Sequence, residues 1–202
     1  MERAIKMNLK KIIISLKQKL KQRNRNKLLI KLVKEGDIKI PERSKPIPLN
    51  KKSLEKSKKF DEELKNRKDA NTLDEIVKKL VEEIPEEKKY LEESIKFNKA
   101  LLGHIYFEDD FTKNLVKLLK KNENKEKIKK YCDFIEYMWR NGDFDVVNIF
   151  DVSIAESLAT YDEEWRKFAK YISNELIEYI NEILIPNNIL MNPNQILSKN
   201  DE

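Results

Sequence analysis

Between Thr72 and about residue 185, apolar residues recur at three- and four-residue steps, and nowhere do they alternate with polar ones. That period belongs to helices and leaves no strand from which to build a sheet, so the segment is expected to be all-α. Local chemistry marks its boundaries. Thr72-Leu73-Asp74-Glu75 has the spacing of a capping box, with Leu73, Ile76, Val77, Leu80, Val81 and Ile84 as the stripe behind it. Pro85 ends that helix, and residues 86–102 read as the next. After a tight connection around Gly103-His104, Glu108-Asp109-Asp110 is expected to open a helix with Phe111, Leu115, Leu118 and Leu119 inward. Three carboxylates there would complement the positive end of the helix dipole.

A further helix spans about Lys125 to Asn141, with Ile128, Tyr131, Cys132, Ile135, Met138 and Trp139 on one face. Gly142 stands where a left-handed C-cap is expected. Asp143 starts the following helix, with Val146, Val147, Phe150, Ile154 and Leu158 inward. Asp162 is expected to cap a last long helix that carries Trp165, Phe168, Ala169, Ile172, Leu176, Ile177, Ile180 and Leu184 and stops at Pro186. Short connections make consecutive helices antiparallel neighbours. The expectation is a compact stack of about six antiparallel helices, a short α-solenoid or a bundle, over residues 72–185, with 186–202 as a short tail.

Scarce residues narrow the chemistry. The chain has 3 Gly, 1 Cys and 1 His. A phosphate-cradling loop needs several glycines in one turn, a structural zinc site needs about four Cys or His ligands, and a disulfide needs two thiols. No cofactor and no metal is expected. The longest apolar run near the N-terminus is Ile12-Ile13-Ile14, closely flanked by charge. That is far short of the roughly 20 residues of a membrane span or of a signal peptide, so a cytoplasmic location is expected.

Charge divides the chain. The formal net is +6, but residues 1–69 carry 23 Lys and Arg against 9 Asp and Glu, a net of +14, and residues 70–202 carry a net of −8. Residues 1–50 read as a basic arm: Ile5, Leu9, Ile12, Ile13, Leu16 and Leu20 lie on one helical face, and a segment containing Pro41, Pro46 and Pro48 forms an extended linker. Residues 51–71 read as a basic helical connector. Lys10, Lys11, Lys17, Lys21, Arg23 and Arg25 are the arm's candidate contacts to nucleic-acid phosphates or to an anionic membrane. No RNA-reading or zinc-finger motif is present.

Few residues invite catalysis. His104 would need a companion such as Asp109 or Tyr106; the favoured reading is an interhelix histidine bonded to backbone. Cys132 lies on an apolar stripe, as a small buried hydrophobe does. Glu136 stands four residues before Arg140, the spacing of a surface ion pair. Asp143 and Asp145 begin like a calcium loop, but Asn148 and Ile154 replace its required Gly and Glu. Glu156 lies beside an apolar stripe, where a buried carboxylate would need donors; capping of a neighbouring helix is the favoured role.

Several segments resemble a known family: Ile84-Pro85, then Leu102-Gly103-His104-Ile105-Tyr106-Phe107, then Phe134-Ile135-Glu136-Tyr137-Met138, Gly142-Asp143, and Val147 through Leu158. Over roughly residues 72–185 the chain is similar to an uncharacterised bacterial domain-of-unknown-function family of small, acidic, all-helical, immunity-protein-like proteins. The resemblance implies a protein that neutralises a toxin, and no catalytic residues. An acidic helical surface also suits a basic partner. The expectation is a non-catalytic binding module that occludes a basic toxin surface, with Asp143, Asp145, Glu156, Asp162, Glu163 and Glu164 as contact candidates. The alternative is an adaptor that attaches to nucleic acid or an anionic membrane through the basic arm.

Overall fold

The computed structural model describes residues 51–186, 190 and 196–199. The chain divides into two units, Met1–Pro46 and Ile47–Glu202, and every described residue belongs to the second. The arm with Lys10, Lys11, Lys17, Lys21, Arg23 and Arg25 lies outside the described residues.

The described residues form eight helices and no strand, the all-α architecture the apolar period demands. Helix α1 spans Lys51–Lys65, α2 Leu73–Glu83 and α3 Glu87–Asn98. Helix α4 is one continuous rod of three parts: Gly103–Tyr106, a π turn over Phe107–Thr112, and Lys113–Lys121. Helix α5 spans Lys125–Asn141. Helix α6 repeats the pattern of α4, with Phe144–Ile149, a π turn over Phe150–Ala155, and Glu156–Ala159. Helix α7 spans Asp162–Ala169. Helix α8 runs from Asn174–Tyr179 into a third π turn, Ile180–Leu184.

The capping box forms as its spacing requires. The Glu75 carboxylate accepts from both the Thr72 N–H (2.8 Å) and the Thr72 hydroxyl (2.9 Å). These bonds hold the Glu75 carboxyl below its usual pKa. Helix α5 has the expected bounds because Asn124 accepts from the Lys127 N–H at 2.9 Å and so caps it. Asp143 caps α6 in the same way, accepting from Val146 N–H.

Four expectations need correction. The triplet Glu108-Asp109-Asp110 does not open a helix: α4 begins at Gly103, so Gly103-His104 is helical and the triplet sits inside the first π turn. The helix after Pro85 stops at Asn98, because Lys99 adopts a left-handed φ of 62°. Gly142 is extended, not left-handed. Its lack of a side chain serves a close approach, since a Cβ there would lie 2.6 Å from the Met138 carbonyl oxygen. Asp162 follows the cap position, and the last long helix is two: the chain breaks between Ala169 and Asn174, where Ser173 accepts from Leu176 N–H and restarts it.

The core explains the π turns. Tyr106-Phe107 and Phe111-Thr112 are all buried, and they are separated by five residues rather than four. A helix whose core-facing pairs step by five must widen by one residue to keep both on one face. Thr112 secures the turn, its hydroxyl donating to the Phe107 carbonyl oxygen at 2.7 Å. The π turns of α4 and α6 pack on each other, and the rings of Phe107, Phe111, Phe134 and Tyr131 interlock beside them. Helix α1 joins this body through buried Leu64 and through Phe60, which meets Tyr179 at 4.6 Å and Trp139 at 6.4 Å between ring centroids.

Candidate functional site

The end of α3 and the start of α4 frame an open groove. Glu93, Ser94, Phe97 and Asn98 line it from α3, and Ile105, Asp109 and Asp110 line it from α4. Each side has a local cause. Lys99 ends α3 in a left-handed turn, with the Asn98 amide donating to the Ser94 carbonyl at 3.1 Å. Leu102 is extended and delivers the chain into α4. The π turn then swings Asp109 and Asp110 outward while Phe107, Phe111 and Thr112 go to the core.

Two properties set the groove apart. Phe97 is 86% exposed, the most exposed large apolar side chain among the described residues, and Ile105 beside it is 40% exposed. Carboxylates surround them. Asp109 pairs with Lys113 at 2.5 Å, whereas Glu93 and Asp110 form no ion pair among the described residues. Burial, then the charges of Asp109, Glu87 and Glu93, push the Asp110 carboxyl above its ordinary pKa, with Lys113 opposing. No Lys or Arg is among the residues that line the groove. The last carbonyls of α3, the negative end of its dipole, add to the same field.

At the start of α3 lies Glu87, which has no exposed surface. It accepts from Tyr106 at 2.7 Å, from the Asn114 amide at 3.0 Å and from Tyr131. It thereby ties α3 to α4 and α5. Burial and the Glu87 charge push both tyrosine hydroxyls to higher pKa.

The other titratable candidates are committed to structure. His104 bonds neither backbone nor the companions a catalytic role would need. Its Nδ1 lies 2.8 Å from the Ser153 hydroxyl, on the α6 π turn. Ser153 is buried and so out of reach of a substrate, while Tyr106 serves Glu87 and Asp109 serves Lys113. Cys132 is buried, and burial pushes its thiol up. Asp151 is half-buried with its carboxyl enclosed; Tyr179 donates to it at 2.9–3.1 Å. Burial, reinforced by Asp61 of α1, raises its pKa to about 8 against the bond from Tyr179. Among the described residues, no three His, Cys, Asp or Glu side chains are grouped to hold a metal ion.

The acidic contact candidates fall at two ends of α6. Asp143 and Asp145 lie at its start; Asp143 spends its carboxylate on the cap, and Asp145 is exposed. Glu156 lies in its last turn, exposed, so it has no buried charge to satisfy and caps nothing. Asp162, Glu163 and Glu164 follow at the start of α7. Glu163 pairs with Lys167 at 2.7 Å, which lowers its pKa, and Glu164 is buried. The two groups are separated by a 16-residue rod, about 24 Å at 1.5 Å per residue. They do not form one patch.

The groove was not anticipated. Its one readable signal was Phe97, an aromatic residue outside the apolar stripes, followed by an acidic triplet whose place on the helix cannot be fixed until the helix start is known.

What fold and site define is an all-helical module with an acid-rimmed apolar groove. Among the described residues no helix is long and apolar enough to cross a membrane. The chain belongs to the family described as Domain of unknown function (DUF7674), whose profile matches residues 77–185. That match covers the groove and leaves α1 and the basic arm outside. No curated protein and no solved structure matches the chain.

Proposed function

We propose that this protein is a non-catalytic, immunity-like inhibitor that acts in the cytoplasm by covering a basic surface of a toxin. The observation that carries the reading is the groove between α3 and α4, where a bare Phe97 stands among Glu93, Asp109 and Asp110. Binding surfaces draw energy from buried aromatic anchors, and complementary charge selects the partner and speeds encounter. A toxin that acts on nucleic acid needs a basic cleft for phosphates, and an acidic protein seated there excludes substrate without turnover. Asp145, Glu156 and Asp162, exposed at the two ends of α6, are available as peripheral contacts.

The test is co-expression of the full chain with the toxin-like protein encoded by the neighbouring reading frame. Rescue of growth and a stoichiometric complex are expected. Failure of both overturns the reading. If the full chain instead binds DNA, RNA or anionic vesicles tightly and with steep salt dependence, and loses this on neutralising Lys10, Lys11, Lys17 and Lys21, the adaptor alternative holds.

A further inference from the structure

We infer that the groove between α3 and α4 receives a segment of a partner protein in which a bulky apolar side chain is flanked by arginine or lysine. This rests on the reading that the module works by protein binding, and it names where and with what chemistry.

The groove's composition selects the occupant. Phe97 and Ile105 offer apolar surface in the open, which a bare cation would not cover. Glu93 and Asp110 form no ion pair among the described residues, and the nearby Lys113 is already held by Asp109. A guanidinium or ammonium reaching in would meet both carboxylates at once, close to the carbonyl end of α3. Three other occupants meet repulsion. A second copy in a two-fold contact would set this acidic rim against itself. Nucleic acid would bring phosphates to it, and an anionic membrane would bring headgroups of the same sign. A basic, apolar-anchored segment of a partner protein meets complementary charge and apolar surface together, in the mode in which an amphipathic helix lays its apolar face in a groove.

The experiment uses the full chain and a fluorescein-labelled synthetic amphipathic peptide of leucine and arginine, read by anisotropy. Two control peptides replace either the arginines by glutamate or the leucines by serine. The expected results are saturable binding of the first peptide only, a loss of about tenfold or more in Phe97→Ser, in the range of an interface anchor, and about threefold in Asp110→Asn and in Glu93→Gln, as for rim charges. Glu123→Gln, at an exposed position outside the groove's lining, should leave binding unchanged. Phe97 is exposed, so its replacement does not threaten folding, and circular dichroism verifies this.

Equal binding by Phe97→Ser, equal binding of the serine control, or a loss confined to Asp145→Asn and Asp162→Asn overturns the inference. So does a dimer of the free chain that Phe97→Ser dissociates, which would make a second copy the occupant. The two readings fail separately. Toxin neutralisation that survives Phe97→Ser and Asp110→Asn retains the inhibitor and removes the groove. Phe97-dependent peptide binding by a chain that rescues no toxin retains the groove and removes the inhibitor.

Discussion

Two enclosed carboxylates, Glu87 and Asp151, are both held by tyrosine, and they are provided for differently. Glu87 receives three donors, from Tyr106, Tyr131 and Asn114, on two neighbouring helices. Asp151 receives one hydroxyl, that of Tyr179, and faces a second carboxylate, Asp61. A buried charge is tolerable in proportion to the donors that replace its water. Glu87 is therefore a fixed joint of α3 with α4 and α5, whereas Asp151 is a joint whose strength depends on pH.

The largest expected effect breaks the first joint. Glu87→Ala leaves two buried tyrosine hydroxyls unpaired and opens space where three helices meet. It should cost about 3–5 kcal/mol, read as a fall of more than about 6 °C in thermal midpoint. Glu87→Gln keeps an acceptor and should cost clearly less. If the two variants melt alike, the donors are not what holds α3.

The second effect sharpens the contrast. The folded pKa of Asp151 lies near 8, above its unfolded value near 4. The folded state thus holds an extra proton between those limits, and stability must fall as pH rises through that window. Asp151→Asn should remove this slope and gain about 1–2 kcal/mol at pH 9 relative to the parent, a figure reduced for the solvent-facing side of the residue. Urea melts at pH 5, 7 and 9 provide the check; an unchanged slope would assign the pH dependence elsewhere.

Smaller still is the cost of loosening the π turn beside Glu87. Thr112→Val removes the donor to the Phe107 carbonyl and should cost about 1–2 kcal/mol, while Thr112→Ser should restore most of it in the same urea melts. The smallest effect is Phe97→Ser, expected within about 0.5 kcal/mol of the parent because the side chain touches solvent, not core. A large loss there would mean that Phe97 packs into the fold and is not free to bind.

Much of the scaffold was legible before any coordinates. The α5 stripe predicted Tyr131, Cys132, Ile135 and Met138 inward, and all are buried; Thr72 and Asp143 act as a cap box and a cap because capping is local chemistry. What was missed depends on a change of period. A 3.6-residue reading found the buried face of α5 and of α6, including Phe150, Ile154 and Leu158, but not the π turns inside α4 and α6, each of which adds a residue. Glu108-Asp109-Asp110 read as a helix start because α4 begins five residues earlier, at Gly103, and the triplet sits in its π turn. The break before Ser173 was hidden for a different reason: Glu136, far away in sequence, accepts its N–H. The partners of His104 and Glu87 are equally long-range. For the acidic candidates on α6 and α7, no sequence pattern could show that Asp143, Glu163 and Glu164 are spent on a cap, an ion pair and the interior.

One small contact has a consequence for how the chain is connected. Asn71 takes a bond from Asp143 N–H and gives one to the Asn141 carbonyl, at 2.9 and 2.7 Å, and Arg67 clamps the Gly142 carbonyl at 2.7 Å. Helices α2 to α5 are thus a ring fastened at its two ends. A cut in the connection between Asn98 and Gly103 would open the covalent chain without opening the ring. Both halves would stay anchored at the clasp and through Glu87, and the penalty would be the entropy of one closed loop rather than the loss of the fold.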